Sequence, residues 1–334
     1  MKIALFGTGR SYLHDTFLEI FKKSSITAEL VEIFDRLSIE NVEKAAGCEV
    51  VCLFVNDDCS TKVLQTLYDN GTRCLLLQSA GFDYVDLELA KKLNMPVLRV
   101  PAYSPYSVAE FGLTLLLTLV RKIIPHSDKT RKNDFTLDGL VGFDIRNCTV
   151  GVVGTGLIGR IFVNLLTGFG CKVLAYDPFP FKPWTENPET SPVEYTDLDT
   201  LLANSDVVSL HTPLMPATRH IMNAETFGKM KDGSYIINVS RGGLIDTQAL
   251  IDALNSGKLA GAGLDVVEGE NDVFFEKRDN IESQNIRNLM ERDNVILSGH
   301  CAFLTKEAIF NICNTTIENL KEYIRAGDEY TNKV

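Results

Sequence analysis

The first hundred residues alternate short apolar runs with stretches whose apolar positions recur at helical spacing. "KIALF", "AELVEIF", "EVVCLFV", "RCLLLQS" and "MPVLRV" are the runs. Five strands alternating with helices predict a parallel α/β sheet. At "VPAYSPYSVAEFGLTLLLTLVRKI" two prolines break the rhythm, and a long apolar helix follows with Ser107 as its expected N-cap. Here the chain is expected to cross into a second domain. A second series then runs "CTVGVVG", "KVLAYD", "DVVSLH", "SYIINVS", "LAGAGLD" and "NVILSGH", six strands that would complete a dinucleotide-binding sheet. After His300, "LTKEAIFNICNTTIENLKEYIRAG" reads as a helix stopped by Gly327. Five strands leave one face of the first sheet uncovered, so this helix is expected to return to it. The fold class expected is therefore α/β with two doubly wound parallel-sheet domains and a cleft between them: residues 1–101 with 301–334, and an inserted domain over 102–300.

Composition narrows the partners. A chain of 334 residues, 45% hydrophobic and 23% charged, has the length for two domains and the make-up of a soluble globular protein. Acidic residues outnumber basic ones by 44 to 33, and the net charge of -11 works against nucleic acid or an anionic membrane as a partner. "FGLTLLLTLV", between Glu110 and Arg121, is about half the roughly 20 residues a membrane span needs and reads as a buried helix. Gly7, Gly9 and Arg10 interrupt the apolar start before a signal-peptide core forms, so a cytoplasmic location is expected. Eight cysteines without a C-x-x-C pair fit reduced thiols, and Cys48 and Cys52 have no His or further Cys at ligand spacing, so no metal is expected.

Two glycine motifs compete for a nucleotide. "FGTGRSYL" supplies Gly7 and Gly9 but has Tyr12 in third place, whereas "VGTGLIGR" supplies Gly154, Gly156 and Gly159. A dinucleotide fold uses the three for a tight turn, for approach of the pyrophosphate to the backbone, and for close packing of helix on strand. Asp35 and Asp177 follow the two motifs at similar distances, so the acidic residue discriminates less than the third glycine. Asp177 would accept hydrogen bonds from an adenosine ribose and repel a 2′-phosphate, and Pro178 follows it in place of an Arg, which selects NAD over NADP. A helix starting near Leu157 would aim its unpaired N–H groups at the pyrophosphate.

Nicotinamide chemistry on a hydroxy or keto acid needs a cation for the carboxylate and a proton donor for the oxygen. "IINVSRGG" puts Arg241, and "VILSGHCAF" puts His300, just past strands of the second series, where open sheets bind ligands. Histidine can give and take a proton near neutrality, and a nearby carboxylate favours the imidazolium that reduction consumes. "LDVVEGEND" offers Asp265, Glu268 and Glu270 for that role, and the residues alone do not choose among them.

The run "GTGLIG", Asp177, "SLHTPL", "NVSRGGLID", "GLDVVEGE" and "GHCAFLTKEA" resembles the D-2-hydroxyacid dehydrogenase family over essentially the whole chain. "AGFDYVDL", "RVPAYSPYSVAEF" and "NDVFFEKRDN" are most similar to its bacterial fermentative NAD-dependent D-lactate dehydrogenase branch. The resemblance implies a flavodoxin-like substrate domain and an inserted Rossmann domain that binds NAD. It implies reduction of pyruvate to D-lactate by hydride transfer to C2, with Arg241 binding substrate, His300 as acid and base, and Glu270 as its partner, leaving Glu268 a bystander. It further implies Ala80 and Gly81 N–H groups for the substrate carboxylate, and Tyr103 and Phe303 at the pocket. For the cofactor it implies Gly154, Gly156, Leu157, Ile158, Gly159 and Asp177, with Thr212, Pro213, Thr218, Val239, Ser240, Arg241 and Asp265 nearer the adenosine or nicotinamide. Val267 stands where many relatives carry an aromatic, and Cys301 where Thr or Gln is common.

Of the other histidines, His14, His126 and His220 have no partner suggested by sequence, and His211 ends a strand beside the glycine motif. "EGENDVFFEKRDNIESQNIRNLMERD" reads most simply as a solvated excursion. The resemblance favours a homodimer or homotetramer through the NAD-binding domain. Two other functions fit the same residues: a dehydrogenase for a bulkier 2-oxo acid, and a non-catalytic NAD(H)-sensing binding protein.

Overall fold

In the computed structural model, which describes residues 1–334 except 271, 272, 276 and 326–328, the first five apolar runs are parallel strands. They are β1 (Lys2–Phe6), β2 (Glu29–Ile33), β3 (Val50–Leu53), β4 (Cys74–Leu77) and β5 (Val97–Leu98), in the order β2-β1-β3-β4-β5. This is the flavodoxin-like order, in which the strand sequence reverses between β1 and β3. β3 and β4 are buried at every position, which is why they read as continuous apolar runs without alternation.

The C-terminal helix Lys306–Ile324 starts at Thr305, whose side chain accepts the Ala308 N–H. It packs on the first sheet's unit: Cys313 Sγ donates to the Leu13 carbonyl (3.5 Å) and Asn319 Nδ2 to the Arg99 carbonyl (2.9 Å). Lys333 then adds an antiparallel bridge to Leu98, beyond β5's two-residue ladder with β4. The expected stop at Gly327 lies outside the described residues. Met1–Ser104 and Leu304–Val334 form one compact unit, and Pro105–Phe303 the other.

The second unit's sheet holds seven parallel strands: β6 (Thr149–Val153), β7 (Lys172–Tyr176), β8 (Glu194–Tyr195), β9 (Val207–Leu210), β10 (Ser234–Asn238), β11 (Leu259–Leu264) and β12 (Val295–Leu297). Their order is β12-β11-β10-β9-β6-β7-β8. Six of them were legible as apolar runs. β8 is a correction to the six-strand expectation: two residues paired to β7 are too short to show any period.

The long apolar helix spans Pro105–Val120. Ser107 is therefore not its N-cap but a buried residue of its first turn, because Pro105 takes the first helical position, where a fixed φ and a missing N–H cost nothing. The excursion after β11 also differs from the solvated reading. Phe274 is buried, and Val273 and Phe275 pack against the core beside it, so its aromatic pair anchors a charged segment. No described helix is long and apolar enough to cross a membrane. All eight cysteines are free, and among the described residues no group of three His, Cys, Asp or Glu could hold a metal ion.

Candidate active site

β6 ends at a loop in which the three glycines of the second motif do three different things. Gly154 has φ +97°, and a β-carbon on it would lie 2.8 Å from the His211 backbone. Gly159 packs so closely that its β-carbon would lie 2.0 Å from the Gly154 carbonyl oxygen. Gly156, the N-cap of helix Leu157–Phe169, faces open space, with nothing within 4 Å of such an atom. Tight turn, close packing and a clear approach to a helix N-terminus are what a pyrophosphate requires. Leu157 begins that helix half exposed.

Asp177 follows β7 with its carboxylate turned to the same loop. Oδ2 accepts the Thr155 N–H (2.6 Å) and hydroxyl (3.1 Å), and Oδ1 accepts the Phe179 N–H (2.8 Å). Tyr195, on the strand that sequence reading missed, donates its hydroxyl to Thr155 Oγ1 (2.9 Å) and so braces this arrangement. On the other wall, the buried Thr212 hydroxyl and His211 Nδ1 have no hydrogen-bond partner among the described residues. His211 Nε2 meets Ser209 Oγ at 2.9 Å, and burial pushes the imidazole down to about 3, so it is neutral at ordinary pH. An open glycine cradle with unpaired polar atoms beside it fits a dinucleotide.

The first glycine loop is filled by its own side chains. A β-carbon on Gly7 would stand 1.9 Å from Arg10 Nη1, and one on Gly9 would stand 3.0 Å from the Phe34 ring. Arg10 is held there by Asn56 Oδ1 (2.5 Å) and lies over the Phe54 ring. Asp35 pairs with Lys44 (3.0 Å). Side chains thus occupy the approach to both glycines.

Arg241 is set by a turn that buried Asn238 folds: Asn238 Oδ1 accepts the Ser240 N–H (3.0 Å) and its Nδ2 donates to the Arg241 carbonyl (2.9 Å). Ser240 Oγ donates to the Thr212 carbonyl (2.8 Å), which ties this turn to the loop after β9, and Val239 beside it is buried. Arg241 Nη1 donates to the Ser240 carbonyl (2.8 Å). After it, Gly242 is pressed against the loop beyond β11, since its β-carbon would lie 2.2 Å from the Val267 carbonyl carbon.

His300 follows β12 with φ +53°, an uncommon conformation for a residue with a β-carbon. Asp265, only 1% exposed, holds it. Its Oδ1 accepts from Ser298 Oγ (2.7 Å) and the Cys301 N–H (2.8 Å), its Oδ2 from the Ala302 N–H (2.9 Å), and its carbonyl from the His300 N–H (2.8 Å). Both carboxylate oxygens of Asp265 are thus used on this turn. Of the three acids left open by the residues, Glu270 is the one on His300: Oε1 lies 2.5 Å from Nδ1, while Oε2 accepts the Val267 N–H (2.7 Å). The Phe275 ring, which sequence reading placed in solvent, stands against the imidazole with centroids 5.6 Å apart. Burial, with the Asp265 charge beside it, pushes the Cys301 thiol up to about 11, so it stays a neutral thiol next to the histidine.

The resemblance left Glu268 a bystander, and the sequence suggested no partner for His220. They have each other: Glu268 Oε1 accepts from His220 Nε2 (2.9 Å) and Arg219 Nη2 (2.7 Å). Thr218 Oγ1 closes its own loop, donating to the Pro213 carbonyl (2.6 Å) and accepting the Met215 N–H (2.8 Å). Ala80 and Gly81, in the first unit, sit on the turn after β4, where Arg99 Nη1 holds the Ala80 carbonyl (2.8 Å) and Ser79 Oγ the Gly81 carbonyl (2.7 Å). Their N–H groups have no acceptor among the described residues. Tyr103 is half-buried there, its carbonyl accepting from Asn311 Nδ2 (2.6 Å), and Phe303 is buried at the end of the second unit.

Residues 113–302 match the family described as D-isomer specific 2-hydroxyacid dehydrogenase, NAD binding domain. The chain is 45% identical to a 2-hydroxyacid dehydrogenase homolog of Haemophilus influenzae, over 96% of this chain and 95% of that one. It is 43% identical to the D-lactate dehydrogenase of Escherichia coli over 100% of both chains. The apo structure of D-lactate dehydrogenase from Escherichia coli superposes with a TM-score of 0.87 at 41% identity, again covering 100% of each chain. With likeness of that extent from end to end, the chain belongs to the NAD-dependent D-isomer specific 2-hydroxyacid dehydrogenases.

Proposed function

We propose that the chain is a cytoplasmic D-lactate dehydrogenase that reduces pyruvate to D-lactate reversibly in fermentation. The observation that carries the chemistry is the 2.5 Å contact of Glu270 with His300 Nδ1. It leaves Nε2 to give a proton to the substrate oxygen during reduction and to take it back during oxidation. Arg241 would clamp the substrate carboxylate, and Ala80, Gly81, Tyr103 and Phe303 are the other residues that the family resemblance assigns to substrate. The choice of pyruvate is supported by full-length likeness to the Escherichia coli enzyme.

Gly154, Gly156, Leu157, Ile158 and Gly159 would hold the cofactor's pyrophosphate and Asp177 its adenosine ribose. Thr212, Pro213, Thr218, Val239, Ser240, Arg241 and Asp265 line the remaining length. When bound, NADH supplies the hydride that adds to C2. Gly156→Ala should lower the melting temperature only slightly, since φ is -63°, the space is open and only a capping preference is lost, yet weaken NADH about tenfold by crowding the pyrophosphate. Gly159→Ala should instead destabilise the unit by about 1–3 kcal/mol, because its β-carbon meets the Gly154 carbonyl. Thermal melts and NADH fluorescence titrations of the two variants check this contrast.

A homodimer or homotetramer through the second unit belongs to the same reading. It is supported by exposed apolar side chains on one segment there: Ile123, Ile124, Phe135, Leu137 and Val141. Steady-state kinetics on pyruvate, 2-oxoisocaproate and phenylpyruvate test the function, with kcat/KM expected to be highest for pyruvate. A higher value for either larger acid would replace lactate by a bulkier product. Tight NADH binding without turnover of any of the three would make the chain a sensor and not an enzyme.

A further inference from the structure

Glu268 receives two donors, Arg219 and His220, on one oxygen at a place where three loops meet. Its own loop, after β11, carries Glu270, whose contact with His300 is made two residues on. Arg219 and His220 come from the loop after β9, with His220 at φ +50°. The His220 N–H donates to the Gly243 carbonyl (2.9 Å), in the turn that Arg241 opens. Gly242 in that turn touches the Val267 backbone, so the Arg241 turn and the Glu270 loop are packed together on one side and pinned through Glu268 on the other.

We infer that Glu268, gripped by Arg219 and His220, is a positioning residue that fixes the spacing between Arg241 and the Glu270–His300 pair. This rests on the proposed roles of Arg241, Glu270 and His300. A pair this exposed contributes little to stability, as Arg219 is 57% and Glu268 33% exposed. Its effect is on geometry: a carboxylate clamp and a proton donor must address the same small acid, and a misplacement of about 1 Å can cost two orders of magnitude in rate. Glu268 acts on the reaction through Glu270 and not by touching substrate.

Glu268→Ala should lower kcat about tenfold and raise the pyruvate KM several-fold, with NADH affinity and melting temperature unchanged, a loss well inside that range. Glu268→Gln should recover much of the loss, since its amide oxygen still accepts from Arg219 and His220. In a Glu270→Gln background the Ala substitution should cost far less, because the contact it supports is already weakened. The imidazole nitrogen resonances of His300 should move in Glu268→Ala whether or not the chain turns over. Unmoved resonances, an unaltered kcat, or losses that multiply independently of Glu270 would each overturn the inference. A wild-type chain silent on every 2-oxo acid would instead overturn the proposed function, with the His300 resonances still deciding the role of Glu268.

Discussion

Arg241→Gln is expected to lower kcat/KM for pyruvate by about 10²- to 10⁴-fold while NADH binds with near wild-type affinity. A guanidinium can offer a carboxylate two parallel charge-assisted hydrogen bonds, each contributing roughly 1.5 to 3 kcal/mol, and a tenfold change corresponds to about 1.4 kcal/mol. Glutamine keeps much of the stem but offers no charge and a single amide nitrogen. The turn should survive the change, because Asn238 folds it through backbone groups of Ser240 and Arg241 that the substitution leaves in place. The glycine loop likewise keeps its wall through Ser240 and Thr212. Steady-state kinetics with a parallel NADH titration check the split. Equal losses of pyruvate and NADH affinity would mean that the guanidinium serves the cofactor and not the substrate carboxylate.

His300→Gln should cost kcat about 10²- to 10⁴-fold, the range of a positioned proton donor, with NADH binding intact. Glu270→Gln gives the finer test. Glu270 Oε1 lies 2.5 Å from His300 Nδ1, so the substitution puts a neutral amide where a carboxylate stood against the ring. A hydrogen bond to a charged acceptor is about twice as strong as one to a neutral acceptor, so kcat should fall about tenfold to a hundredfold in pyruvate reduction and in D-lactate oxidation alike, with NADH affinity unchanged. Steady-state rates measured in both directions check it, and rates that coincide with wild type would mean that Glu270 holds the loop without acting on the imidazole.

What sequence reading recovered differs by the range of the interaction involved. The spacing of the second motif gave its three glycines distinct expected roles, and in the fold their surroundings are distinct as well: a positive φ at Gly154, an open face at Gly156 and a 2.0 Å approach at Gly159. Tyr12 likewise marked the first motif as incomplete. The occupants that fill it, Arg10 on Gly7 and Phe34 on Gly9, were not legible, because a motif does not say what its neighbours do with the space. β8 escaped notice because two residues have no period, and with it went Tyr195, which braces the Asp177 arrangement from 40 residues beyond Thr155. Ser107 misled because a capping residue is a strong local signal, yet Pro105 stands two positions earlier and suits the first turn better.

The acids of "LDVVEGEND" show the limit most clearly. Their residue types are interchangeable by charge, so the residues alone left three partners for one histidine. Folding separates them. Asp265 ties the turn that forces His300 into a left-handed backbone, Glu268 takes Arg219 and His220, and Glu270 takes the imidazole. By itself the sequence determined two parallel α/β sheets, which glycine loop carries all three glycines, and which strand ends carry an arginine and a histidine, since these follow from periodicity and from spacings within a few residues. Only the tertiary structure decided which carboxylate meets which base. Hydrogen bonds and ion pairs form across distances of a few ångströms in space, and the chain brings Glu270 to His300 across 30 residues that no local pattern connects.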